Sequence, residues 1–259
     1  MLKLRVEKYK YKKDSFLVEE KMTKKVKLLI LMLSIPITYF IYILNNNKNI
    51  NYIALGDDLS VGINSFGIAN YSYSDYIKDY IRENNMLNIY TNKLSERNKT
   101  ITEQYNDILV NKKVKIDNKT YNIKKLLRES DILTISLGQN DIRYEISSTN
   151  KQKLTSRDYT QIAETIFTKY KTLITEIKKY FKRDLYLLGT YYRTETERNI
   201  SQQLNKKLKE YCNDNKMTFI DISYIGNDKY FDNRNSNLPN DEAYLEISKS
   251  IISRLILEK

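Results

Sequence analysis

From position 51 onward the chain alternates between two hydrophobic periods. Short apolar runs end abruptly at turn-forming residues. Between them lie longer stretches whose apolar side chains recur every three or four residues. A short uninterrupted run reads as a buried strand, and the longer period as an amphipathic helix. Strands are predicted over 52–55, 87–90, 131–137, 185–188 and 218–222, and helices over 71–84, 102–109, 123–128, 156–182, 196–213 and 241–257. The stripe of the longest helix runs through Tyr159, Ile162, Ile166, Tyr170, Leu173 and Ile177, with Thr155 or Ser156 placed to cap it. Pro239 opens the last helix at a position suited to the first turn. Strands alternating with helices imply an α/β domain with a parallel sheet covered on both faces. In such sheets, sites form at the carboxyl ends of the strands.

A different pattern precedes position 45. Residues 28–44 are seventeen consecutive uncharged residues, at the short end of what spans a bilayer. Lys24, Lys25 and Lys27 abut them on the amino side. By the positive-inside rule the N-terminus stays cytoplasmic and the remainder lies outside. Pro36 is tolerable in such a span. A cleaved signal peptide is the competing reading, but Asn45-Asn46-Asn47-Lys48-Asn49 offers no small-residue cleavage site. The expected organisation is a basic cytoplasmic leader over 1–27, a single-pass membrane anchor over 28–44, a linker over 45–50 and an extracytoplasmic domain over 51–259. The linker reaches about 20 Å at full stretch, which keeps the domain close to the membrane. Met22 opens a normal leader of its own, so residues 1–21 are either a cytoplasmic extension or lie before the true start.

Composition narrows the chemistry. The chain has 259 residues and no His, which removes Ser-His-Asp, Cys-His and His-ligated metal machinery. Its one Cys, Cys212, makes no internal disulfide and no Cys-rich zinc site, and on a helix beside Tyr211 it reads as buried rather than reactive. Lys and Arg number 44 against 32 Asp and Glu, for a net charge of +12. Ten of those bases and four of the acids lie in residues 1–27, so half the excess sits in the leader. The rest is spread over the other 232 positions, which argues against a nucleic-acid partner. With only six Gly in the chain, those at strand ends answer a backbone need.

Three strand ends carry the remaining signal. Ile53-Ala54-Leu55-Gly56-Asp57-Asp58-Leu59-Ser60-Val61-Gly62 closes the first strand, and Ser136-Leu137-Gly138-Gln139-Asn140-Asp141 closes the third. Leu238-Pro239-Asn240 precedes the final helix. In this order they resemble the SGNH hydrolases, also called GDSL lipases or esterases, over about residues 50–257. The resemblance implies a flavodoxin-like three-layer α/β/α sandwich and acyl-ester chemistry. It places the site at Gly56, Asp57, Asp58, Gly138, Asn140 and Asp141. It also implies a nucleophilic Ser, a His base and an Asp that orients the base; Asp58, Leu238 and Asn235 stand at those positions. The family's second block supplies a Gly whose N–H joins the oxyanion hole. Residues 92–102 contain no Gly, and Arg97 or Asn98 falls nearest that place. Asn140 retains the side-chain amide that the family uses as a third oxyanion donor.

The departures set the functional expectation. A Ser hydroxyl is a weak nucleophile without an adjacent base, and here both are replaced. Ser60, the nearest hydroxyl, has no identifiable base. Triad members act as a unit, so losing two removes most of their contribution. A catalytically inactive pseudo-hydrolase is expected, binding an envelope glycan, an acylated polymer or a protein partner, with Asp58 and Asn140 as the remnant of the catalytic site. One alternative is an acyl hydrolase with a different mechanism centred on Asp58 and Asn140. Another is a structural envelope protein in which the site has no role. Asp57, Asp58 and Asp141 with Asn140 would suit Mg²⁺ or Ca²⁺ if they gathered. Structural hydrogen bonds from Asp57 and Asp141 are the favoured reading, and neither metal nor cofactor is expected. Tyr191-Tyr192-Arg193 follows the fourth strand, as ligand-facing groups or as loop packing, and Lys112-Lys113 and Lys124-Lys125 read as solvated faces.

Overall fold

The structure is a computed structural model. It describes residues 49–149, 153–233 and 236–255, with scattered positions between Lys24 and Pro36. The chain divides into two compact units at Lys48 and Asn49. In the first unit the described positions are helical and exposed. Among the described residues no helix is long and apolar enough to cross a membrane. Most of the predicted anchor over 28–44, and the leader before Lys24, lie outside the described residues.

In the second unit the strands in chain order are β1 (Ile50–Gly56), β2 (Leu87–Thr91), β3 (Lys113–Ile116), β4 (Lys119–Asn122), β5 (Ile132–Ser136), β6 (Asp184–Leu188) and β7 (Thr218–Ile220). The helices are α1 (Asp58–Val61), α2 (Tyr73–Glu83), α3 (Ile101–Leu109), α4 (Ile123–Glu129), α5 (Gln139–Ser148), α6 (Ser156–Tyr180), α7 (Glu195–Asp214) and α8 (Asp241–Ile252). Two short 3-10 turns, Ser223–Gly226 and Asp228–Tyr230, join β7 to α8.

Five strands form one parallel sheet in the order β2-β1-β5-β6-β7. The central strands are buried on both faces, so they read as continuous apolar runs rather than alternating ones. In β1, Ile53 and Leu55 enter one core layer, while Tyr52 and Ala54 enter the other. Helices α3 to α7 pack on the first layer, and α2 and α8 on the second. This is the three-layer sandwich expected from the sequence. The strand order reverses between β1 and β5, and it is at the carboxyl ends of the strands at such a switch point that ligand sites form in parallel sheets.

The structure extends the sequence reading in three places. A β3–β4 hairpin was not anticipated, because its apolar positions are few. Val114 is buried and Ile116 and Tyr121 pack against the core, while Lys113, Lys115 and Thr120 face outward. Its turn passes through Asp117 at φ 51°, a backbone state that Asp adopts more readily than most residues. Helix α1 has four residues, too few to show a period, and α5 is polar, with Ile142 its one buried apolar residue. The last helix also ends at Ile252, before position 257.

Candidate active site

The turn after β1 is built by its own side chains. Asp57 caps α1, its Oδ1 accepting from Leu59 N at 3.2 Å. Gly62 ends α1 in the left-handed region at φ 82°, where a Cβ would press on Asn70 O. Gly56 lies so close to Ser136 and Ser60 that any side chain there would collide with both. Asp57 is 2% exposed, and burial, then the neighbouring Asp58 carboxylate, push its carboxyl well above the usual carboxylate range. Ser136 Oγ lies 3.5 Å from Asp57 Oδ1 and Asn140 Nδ2 3.4 Å from Oδ2.

Asp58 stands at the first position of α1, where the resemblance places a nucleophile. Its side chain is buried and turned into a set of donors. Asp58 Oδ2 accepts from the backbone N–H of Asn98 at 3.2 Å and from Asn140 Nδ2 at 3.0 Å. Arg97 Nε lies 4.0 Å from Oδ1. Oδ1 is buried and has no hydrogen-bond partner among the described residues. Asn98 has φ 58°, so of the two candidates for the missing Gly it is Asn98 that bends the chain and aims an N–H at the site. Asn is among the few side chains that tolerate this region, a signal present in the sequence. Asn140 Nδ2 also reaches Lys99 O at 3.3 Å, which ties α5 to the loop after β2.

The other predicted site residues divide. Asp141 turns away from Asp58: its Oδ2 accepts from Ile101 N at 3.0 Å, and Lys169 Nζ lies 3.7 Å from its Oδ1. Burial raises its pKa. It fastens the start of α3 to α5, so the proposed gathering of Asp57, Asp58 and Asp141 does not occur. No group of three metal-ligating side chains is found among the described residues. Gly138 opens α5 at φ 92°, with Tyr170 and Thr190 packed where a side chain would stand. Ser60 is fully buried and bonded to Ser136 Oγ at 2.7 Å and to the Tyr73 hydroxyl at 2.9 Å, so it points into the core.

The loop that would carry the base is held by several groups. Ser65 Oγ donates to Leu238 O at 2.8 Å, and Leu238 N donates to Ser236 Oγ at 3.0 Å. Arg143 Nη2 and the Tyr191 hydroxyl both donate to Asn237 O, at 3.0 and 2.6 Å. Asn235 lies outside the described residues. Tyr191 is buried, and Arg193 stacks on Phe231 with its guanidinium 3.9 Å from the ring centroid, so both serve loop packing.

A switch point in a parallel sheet, with a capped turn after β1 and an Asn amide after β5, is the frame of an α/β hydrolase of the GDSL kind. The family model for GDSL-like lipases and acylhydrolases matches residues 52–251, and the chain belongs to that family. Solved structures share the fold. A lipase from a goat rumen metagenome aligns with a TM-score of 0.65 at 18% identity, covering 81% of this chain and all of that one. A lipase/acylhydrolase from Enterococcus faecalis gives 0.52 at 17%, covering 81% of this chain and all of the other. An extracellular lipase from Streptomyces rimosus gives 0.53 at 14%, covering 78% and 99%. A search of curated proteins found no match.

Proposed function

We propose that this is a membrane-anchored, extracytoplasmic GDSL-family domain that binds rather than hydrolyses. One observation carries this reading. The carboxylate of Asp58 holds the Asn98 N–H and the Asn140 amide, the two donors that would stabilise an ester oxyanion. Such donors are worth about 3 kcal/mol each when free to meet the transition state. Here they are spent on a resident anion. A second oxyanion about 3 Å from it would be repelled by roughly 5 kcal/mol at an effective dielectric of about 20. Leu238 supplies no base, and no His exists elsewhere in the chain to replace it. The ligand class this reading favours is an envelope glycan, an acylated polymer or a protein partner, met outside the cell. Residues 28–44 support the anchor through their length and flanking lysines.

The second reading is an acyl hydrolase in which Asp58 Oδ1 attacks the ester carbonyl, expelling the alcohol to leave an acyl anhydride that water hydrolyses, and that oxygen's having no hydrogen-bond partner among the described residues favours it. Ester and acetyl-glycan hydrolysis by residues 49–259 separates the two. The wild type is expected to be silent, and activity is expected only in the triple variant Asp58→Ser, Asn235→Asp, Leu238→His. Wild-type turnover that Asp58→Ala abolishes would establish the hydrolase. The anchor is tested on the full chain, which is expected to stay with membranes through alkaline extraction; release into the supernatant would refute it.

A further inference from the structure

All five strands of the main sheet are parallel, so the turns that lead into them gather at one pole and the site lies at the other. The chain enters the domain at the first pole. There Asn51 N donates to Asp131 Oδ2 at 2.9 Å and Asn51 Nδ2 to Glu129 O at 2.7 Å, just ahead of β5. Arg183, ahead of β6, pairs with the same Asp131. Lys178 Nζ reaches Asn215 O ahead of β7 at 2.7 Å, and the Tyr186 hydroxyl reaches Arg254 O beyond α8 at 3.3 Å.

Charge is divided unevenly between the poles. At the entering pole, residues 82–86, 124–131, 178–184, 214–217 and 252–255 hold ten Lys and Arg against five Asp and Glu. Around the site, residues 57–58, 93–99, 139–145, 155–158, 191–198, 221–232 and 241–242 hold eight against thirteen. The basic pole presents its cations to solvent. Arg128, Lys182, Lys216 and Arg254 are exposed. Lys182 and Arg254 donate to backbone carbonyls of their own segments, and Arg128 lies over the Tyr180 ring, 5.9 Å from its centroid.

We propose that this basic pole is a docking surface for an anionic lipid bilayer, with headgroup phosphates as its ligands. Three features select this occupant. The pole is basic, the chain enters the domain there, and the apolar stretch 28–44 ends six residues before Ile50. The proposal extends the membrane-anchored reading and gives it an orientation. With the basic pole on the headgroups, the acidic pole and its site face away from the bilayer, toward envelope polymers. Each cation near an anionic surface raises partitioning by about fivefold, and salt screens the effect.

The test uses residues 49–259, which contain both core layers and match a solved relative over that chain's whole length. The anchor is absent from this domain, so the result is independent of it. The probes are phosphatidylcholine vesicles with and without phosphatidylglycerol. Co-sedimentation is expected with the phosphatidylglycerol vesicles alone, and is expected to fall with added salt. The variant Arg128→Gln, Lys182→Gln, Lys216→Asn, Arg254→Gln is expected to lose at least about tenfold in partitioning. A control with the same net charge, Lys153→Gln, Arg157→Gln, Arg198→Gln, Lys229→Gln, alters the other pole and is expected to bind as wild type. Equal melting temperatures of the two variants show that both fold. Wild type that ignores phosphatidylglycerol, or equal loss in both variants, would overturn the proposal. So would capture of soluble polyphosphate without vesicle binding.

Discussion

Asp58 sets a carboxylate in the position that the resemblance gives to a Ser. A Ser there would leave the Asn98 N–H and the Asn140 amide open to an incoming carbonyl; the carboxylate closes them with charge-assisted hydrogen bonds. Removing it should therefore uncover an anion site. Asp58→Ala leaves two donors aimed at vacated space beside Arg97. Asn140 Nδ2 keeps Lys99 O and Asp57 Oδ2 as acceptors, but the part-buried Asn98 N–H loses its partner, at a cost of about 1 kcal/mol. The variant is expected to melt below wild type, and excess acetate or formate is expected to raise its Tm while leaving wild type unmoved. An equal response in both proteins would show that the donors do not form an anion site. Cys212 is a residue of the opposite kind. It is buried, and burial pushes its thiol up to about 12, which leaves it protonated and unreactive at neutral pH.

At the scale of elements, the long amphipathic stretches were legible and the short polar ones were not. Helix α6 shows why. Its apolar stripe persists over 25 residues, and Thr155 caps it in a reciprocal box with Asp158. Thr155→Ala is expected to destabilise the domain by about 1 kcal/mol in chemical denaturation, without changing the slope of the unfolding transition. No change would mean that tertiary packing alone holds that helix end. The β3–β4 hairpin and α5 escaped because neither buries enough apolar surface to show a period. The hairpin is held by Val114, Ile116 and Tyr121 against the core, and α5 by Asp141 and Asn140 at its first turn. Those are long-range contacts, which no local window contains.

For the molecule as a whole, buried carboxyls make stability depend on pH. Asp57 and Asp141 are both pushed above the usual carboxylate range by burial. The folded state then holds protons that the unfolded chain has already released. Their contribution is full below the unfolded value of about 4 and is lost as pH rises through the elevated folded values. Stability is expected to decline with rising pH above that point, and Asp57→Asn is expected to flatten the decline. A decline as steep in Asp57→Asn as in wild type would assign it to other groups.

The sequence alone determined the class of fold, the order of the five main-sheet strands along the chain and the motif segments that carry the family pattern. Periodicity and turn residues are local properties, and β1, β5, α6 and α7 express them strongly. It also put Asp58 and Leu238 at the positions that the resemblance gives to a Ser and a His, because identity at a motif position needs no coordinates. Tertiary structure decided the rest. Which of Arg97 and Asn98 turns its N–H to Asp58, that Asp141 serves α3 and not the site, and that the Asp58 carboxylate takes the Asn98 N–H and the Asn140 amide all depend on directions set by packing. Residues about 40 or 80 positions apart meet there only because a parallel sheet brings its strand ends together.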